Sequence, residues 1–129
     1  MQSLAEWPLE ARRAIRGVFT DIDDTLTTDG AITGDALDAL AALRAAGLVV
    51  IPITGRPMGW SEPFARSWPV EAIVPENGAM ALLPDGRTLY VQDEATRARN
   101  AERLAQVAQR VLREVSGATL ARDSAGRVT

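Results

Sequence analysis

Apolar positions in this chain fall into short unbroken runs separated by helical stripes, and that alternation predicts the order of its elements. Gly17 to Ile22, Leu48-Val49-Val50-Ile51-Pro52-Ile53 and Ala72-Ile73-Val74 are runs of strand length. The second is apolar throughout, as a strand is when helices cover both faces of its sheet. Between the first two runs, Leu37, Leu40 and Leu43 recur at helical spacing. Thr33 or Gly34 opens that helix, and Gly47 closes it just past the last turn. A weaker helix around Trp60 to Ser67 precedes the third run. Strand, helix, strand, helix, strand predicts a doubly wound, Rossmann-like α/β fold with a parallel sheet.

The flanking segments read differently. Leu4 to Arg16 predicts a short helix or loosely attached arm, with Pro8 in its first turn. Thr27 to Ile32 is turn-rich. From Ala79 the pattern changes, since Ala79 to Leu83 and Thr88 to Val91 flank Pro84-Asp85-Gly86-Arg87, a hairpin signal. Thr96 to Val115 predicts a long helix whose Ala101, Leu104, Val107, Ala108, Val111, Leu112 and Val115 form a stripe expected to be core. Thr119 to Ala121 begins a further expected strand, turning at Asp123 to Gly126. The division expected is residues 1–78 as the first part of an α/β core and 79–129 as the start of a second unit.

Right-handed crossovers place Asp21 and Thr54 together at the carboxyl ends of parallel strands, where such sheets hold their ligands. Asp21-Ile22-Asp23-Asp24-Thr25-Leu26 carries three carboxylates within six residues. Grouped acids at a strand end repel one another unless a cation neutralises them, and hard oxygen donors suit magnesium. A carboxylate beside a bound magnesium can also attack a phosphoryl group.

Composition narrows the chemistry. All 14 basic residues are arginine, with neither lysine nor histidine present, so no lysine point charge or imidazole base is available within these 129 residues. There is no cysteine, which excludes disulfides and thiolate metal sites. A net charge of −3 without a basic cluster argues against nucleic acid as a partner. No apolar run nears the roughly 20 residues that span a bilayer, and no signal-peptide pattern opens the chain, so no membrane partner is expected and a cytoplasmic location is the default.

The run Asp21 to Leu26 resembles motif one of the haloacid dehalogenase (HAD) superfamily, D-x-D-x-T-L/V, with every fixed position filled. Thr54-Gly55, some 30 residues later and after an apolar strand, resembles its motif two. The segment Ile73-Val74-Pro75-Glu76-Asn77-Gly78-Ala79 is similar to the E-N-G-A stretch of members with a large α/β cap, such as Cof-type sugar phosphatases and mannosyl-3-phosphoglycerate phosphatases. The resemblance implies a HAD half-core followed by the beginning of an α/β cap. It implies a phosphatase acting on a small phosphorylated metabolite, a sugar phosphate above all, through an aspartyl-phosphate. Asp21 is then the nucleophile, and Asp23 protonates the leaving group and activates water. Magnesium is held by the Asp21 side chain and the Asp23 carbonyl, and Thr54 and Gly55 hold phosphate oxygens. Arg56 touches phosphate or leaving group, or else forms a salt bridge. Asp24 is expected in the loop, Thr25 as its hydrogen-bonded fastening, Leu26 packed beneath it, and Asn77 in a turn with or without a functional role.

The resemblance is incomplete. A lysine or arginine in motif three and an acidic pair in motif four complete the family pattern, yet after Arg56 the only aspartates are Asp85, Asp93 and Asp123, none in a motif-four context. The missing parts are expected beyond Thr129. A non-catalytic module keeping the half-core, and a phosphotransferase or mutase passing the phosphoryl group to a sugar, are the alternatives. A half-core also exposes apolar sheet edge and face, which invites self-association.

Overall fold

The protein was analysed as a computed structural model, which describes residues 3–120. A one-turn helix at Leu4–Glu6 is followed by α1, Leu9–Ala14, so the single N-terminal helix expected from the sequence is two short pieces. The break falls at Trp7, held extended at ψ 144° because a residue before proline is sterically pushed out of the helical region. Pro8 caps α1 instead of entering its first turn, and α1 buries none of its residues.

The strands β1 (Gly17–Asp21), β2 (Thr27–Thr28) and β3 (Ala31–Ile32) come next. β2 and β3 make a small antiparallel hairpin across Asp29-Gly30. Both turn residues are left-handed, φ 51° and 78°, which suits the twist of a two-residue hairpin. α2 spans Gly34–Ala45 and buries Leu40 fully, with Leu37 and Leu43 half-buried beside it. It ends as expected at Gly47. Gly47 N–H donates to Arg44 at 2.8 Å and Leu48 N–H to Leu43 at 3.1 Å, a Schellman pair that requires φ 80° at the glycine.

β4, Val49–Ile53, pairs in parallel with β1, Gly17 opposite Val49 and Asp21 opposite Ile53. α3 runs Met58–Ser67, beginning before the expected Trp60; Trp60 packs edge-on against Phe64, and Phe64 stacks on Trp68 just past the helix, each at 4.8 Å between ring centroids. The expected third strand is a brief bridge. Val74 pairs with Ile53 in parallel and Ile73 with Leu82 antiparallel, so this segment joins β4 to a hairpin of β5 (Met80–Leu82) and β6 (Thr88–Tyr90). Glu71 secures its start: the carboxylate accepts Val50 N–H and pairs with Arg44, each at 2.7 Å.

One core gathers Ile22, Leu40, Val50, Ala65, Trp68, Val70, Ile73, Met80 and Leu82 from β1's end, α2, β4, α3 and the hairpin. Only one face of the sheet is covered among the described residues, contrary to the expectation from the apolar run of β4. On the other face Phe19 is 69% exposed, and Val49 and Ile53 are also open.

α4 spans Glu94–Glu114, starting two residues before the predicted Thr96 because Asp93 caps it by accepting Thr96 N–H at 2.7 Å. Its apolar stripe is not core, as none of its residues is buried and Leu104, Val107 and Val111 are exposed. Near its start Arg97 stacks 3.6 Å over Tyr90 and Asn100 bonds Gln92. Thr119 and Leu120 form no strand, and the rest of that expected segment lies outside the described residues. No helix among the described residues is long and apolar enough to cross a membrane.

Candidate active site

The acidic segment leaves β1 as a tight turn rather than an extended strand. Its hub is the carbonyl of the fully buried Ile22, which accepts the N–H groups of Thr25, Leu26 and Thr27 at 3.3, 3.0 and 3.1 Å. The Thr27 hydroxyl adds a fourth bond at 3.0 Å. Thr27 is 5% exposed, whereas Thr25 is exposed, so the fastening expected of Thr25 is made by Thr27. Asp24 takes φ 56°, an angle that aspartate tolerates better than most residues, and Leu26 packs against the core as expected.

The turn separates the three acids. Asp21 ends β1 beside Ile53, exposed, and lines a cleft of about 380 Å³ with Phe19, Thr20, Thr54, Gly55 and Asn77. Asp23 points at the end of β4 instead. One of its carboxylate oxygens accepts the Thr54 hydroxyl at 3.4 Å, a long bond that exchanges readily. Arg56 Nε lies 3.2 Å from both Asp23 oxygens, and a second guanidinium nitrogen is 2.9 Å from Oδ1. The salt bridge left open for Arg56 therefore exists, and its partner is Asp23. Trp60 supports the guanidinium from below at 5.0 Å.

Thr54 joins the two acids, since it lines the cleft with Asp21 and bonds Asp23. It is 4% exposed, with its N–H given to Val74 and its hydroxyl accepting Arg56 N–H at 3.0 Å. Gly55 follows on the cleft wall. A Cβ there would stand 3.1 Å from Asn77 Oδ1, tighter than nine in ten real contacts, so a side chain at this position would require Asn77 to give way by a few tenths of an ångström.

Among the described residues, no three acidic side chains converge in a way that could hold a metal ion. The donors present fit part of a magnesium site. Among the described residues the Asp21 carboxylate and the Asp23 main-chain carbonyl accept no hydrogen bond and are hard oxygens, whereas the Asp23 carboxylate is occupied by Arg56. Magnesium commonly takes only one or two protein oxygens and keeps water or phosphate on its other positions.

Sequence patterns had pointed to Asp21, Asp23, Thr54, Gly55 and Arg56, and all five gather at the ends of β1 and β4. They had not pointed to Thr27 or Trp60, and they gave Glu76 only as part of the E-N-G-A stretch, without a role; it is buried, and its Oε1 accepts Met58 N–H at 3.1 Å. The signal for Glu76 was present, because an acid enclosed by Ile73-Val74-Pro75 and Ala79-Met80 needs a buried partner.

Residues 18–116 match the family described as haloacid dehalogenase-like hydrolase. Among solved structures, the chain is similar to a phosphatase of the haloalkanoate (HAD) enzyme superfamily from Bacteroides thetaiotaomicron, with 24% identity and TM-score 0.57 over 83% of this chain and 40% of that one. A Geobacillus kaustophilus protein described as hypothetical superposes with TM-score 0.58 at 24% identity, over 75% of this chain and 36% of its own. A Thermoplasma acidophilum protein gives 0.55 at 20% identity, over 71% of this chain and 42% of its own. These likenesses fix the fold as the HAD-type α/β fold with a parallel sheet, and the chain spans well under half of each of those proteins. No curated protein matches it.

Proposed function

From the premise that this chain belongs to the haloacid dehalogenase-like hydrolase family, we propose that it carries the nucleophile half of a magnesium-dependent phosphomonoesterase site for a small phosphorylated metabolite. A sugar phosphate is the favoured substrate, and a cytoplasmic location belongs to the same proposal. The observation that carries it is that Asp21 and Thr54 line one open cleft while the Thr54 hydroxyl also bonds Asp23.

In this reading the Asp21 carboxylate attacks phosphorus, forming an aspartyl-phosphate and breaking the ester P–O bond. Asp23 gives its proton to the departing alcohol oxygen, then takes one from the water that attacks phosphorus, which regenerates Asp21 and releases phosphate. Thr54 and Gly55 hold the phosphoryl oxygens, and the long Thr54–Asp23 bond is the one to be exchanged. Arg56 must release Asp23 before the proton moves, and a guanidinium set free beside a phosphate dianion has an obvious second partner. Asp21 and the Asp23 carbonyl would hold magnesium, which supplies positive charge against the phosphate. Residues 79–129 begin a cap in this proposal.

The test is turnover of a generic phosphomonoester by the complete natural protein with magnesium. Asp21→Asn should lower kcat by on the order of 10³-fold or more. Unchanged turnover in that variant, or none in the folded wild type, would sink the phosphatase reading. A second reading, a phosphate-binding module without turnover, draws on the occupied Asp23 carboxylate. Calorimetry that finds phosphate and magnesium binding without turnover supports it.

A further inference from the structure

Three successive residues, Glu76, Asn77 and Gly78, have left-handed backbone angles of 50°, 53° and 94°. Glycine adopts such angles freely, but the two residues with a Cβ adopt them against steric preference, so their surroundings must impose the shape. Those surroundings are visible. Glu76 is 1% exposed, and its carboxylate sits on the N-terminal N–H of α3, where the helix dipole favours negative charge. Glu76 N–H donates to the Arg56 carbonyl at 3.0 Å and Asn77 N–H to the Thr54 carbonyl at 3.3 Å. The turn is thereby locked to the loop that carries the phosphate-holding residues.

What the lock presents is the Asn77 side chain. It is exposed on the cleft wall with Asp21, Thr54 and Gly55, its Oδ1 directly over Gly55. The phosphoryl transfer described above gives it no work. Phosphoryl oxygens only accept hydrogen bonds, so the amide NH2 could serve one, but the Oδ1 that stands over Gly55 has no partner in a phosphate dianion. A hydroxyl both donates and accepts, as an amide does.

We propose that Asn77 is a specificity-determining residue whose amide hydrogen-bonds a hydroxyl on the alcohol portion of the phosphomonoester. The inference rests on the phosphatase reading and deepens it. A site that bonds a hydroxyl discriminates against ligands that lack one, and at the exposed Asn77 that discrimination is the loss of one hydrogen bond, about tenfold.

The test compares glucose 6-phosphate with inorganic phosphate by titration calorimetry on the complete natural protein with magnesium. An Asp21→Asn background is used throughout so that the ester is bound and not hydrolysed, and wild type here refers to position 77. Asn77→Gly removes the amide while keeping a residue at ease with φ 53°. The wild type should bind the sugar phosphate more tightly. The glycine variant should lose about tenfold in affinity for it and keep its affinity for inorganic phosphate. Should that variant melt early, Asn77→Ala removes the same amide without adding charge and should give the same selective loss. Equal affinity of the wild type for both ligands, or losses that fall equally on both or on neither, overturns the inference. Failure of the wild type to bind inorganic phosphate at all overturns the phosphatase reading itself. Phosphate binding that depends on Thr54, with sugar selectivity untouched in Asn77→Gly, overturns this inference alone.

Discussion

Replacing Thr27 by valine deletes the hydroxyl that fastens the acidic turn, and the structure sets the size of the effect. The Ile22 carbonyl keeps the three N–H donors of Thr25, Leu26 and Thr27 when the hydroxyl goes, so no buried acceptor is orphaned. Valine has nearly the same shape in a site only 5% exposed, so no cavity opens. What remains is the loss of one neutral hydrogen bond, about 1 kcal/mol. For a chain of this length that corresponds to a melting temperature lower by roughly 3–5 °C. Thr25→Val, at an exposed neighbour with no such bond, should stay within about 0.5 kcal/mol of wild type. Urea unfolding followed by circular dichroism checks both, with equal slopes required for the comparison. A Thr25→Val cost exceeding that of Thr27→Val refutes the assignment of the fastening to Thr27. A Thr27→Val cost above about 3 kcal/mol refutes the claim that the Ile22 carbonyl stays satisfied.

Two further outcomes follow from ion pairs and caps. The Arg56–Asp23 pair is half-exposed, 52% and 35%, so Arg56→Gln should cost under about 1 kcal/mol in a thermal melt while weakening phosphate binding; a larger loss of stability would make the pair structural. At the start of α4, the Thr96 N–H foremost, then the Thr96 hydroxyl, holds the Asp93 carboxyl below the usual carboxylate range. A depressed value means the cap stabilises above the unfolded pKa of about 4 and is lost as pH falls through the lowered folded value. Far-UV circular dichroism should show α4 helicity declining in that acid range, and Asp93→Asn, a cap that does not titrate, should remove the decline.

The sequence made legible whatever depends on residue order alone. The β1–β4 pair, the Gly47 stop of α2 and the hairpin around Asp85-Gly86 could be read from runs and turn residues. The two threonines of the acidic turn could not be told apart, because what separates Thr25 from Thr27 is burial created by the turn itself. The Asp23–Arg56 pairing needed the register of β1 on β4 to bring distant residues together. The same limit explains the misread face of α4 and the bare side of the sheet. Periodicity says that a face calls for a cover, and it is silent on whether Leu104, Val107, Phe19 or Ile53 receive one within these residues. The partner of Glu76 was hidden for a further reason: its apolar surroundings call for one, and nothing local says that it is a helix start 18 positions earlier.

The bare sheet face also has a calorimetric consequence. A fully covered domain of this length would gain about 1.7 kcal/mol/K in heat capacity on unfolding, mostly from apolar surface newly wetted. Here Phe19, Val49, Ile53 and the stripe of α4 are already in water before the chain unfolds. The increment must be smaller, and the curve of stability against temperature correspondingly flatter, with a shallow maximum and weak cold destabilisation. Anything that seats on that face would restore the missing heat capacity and bend the curve back.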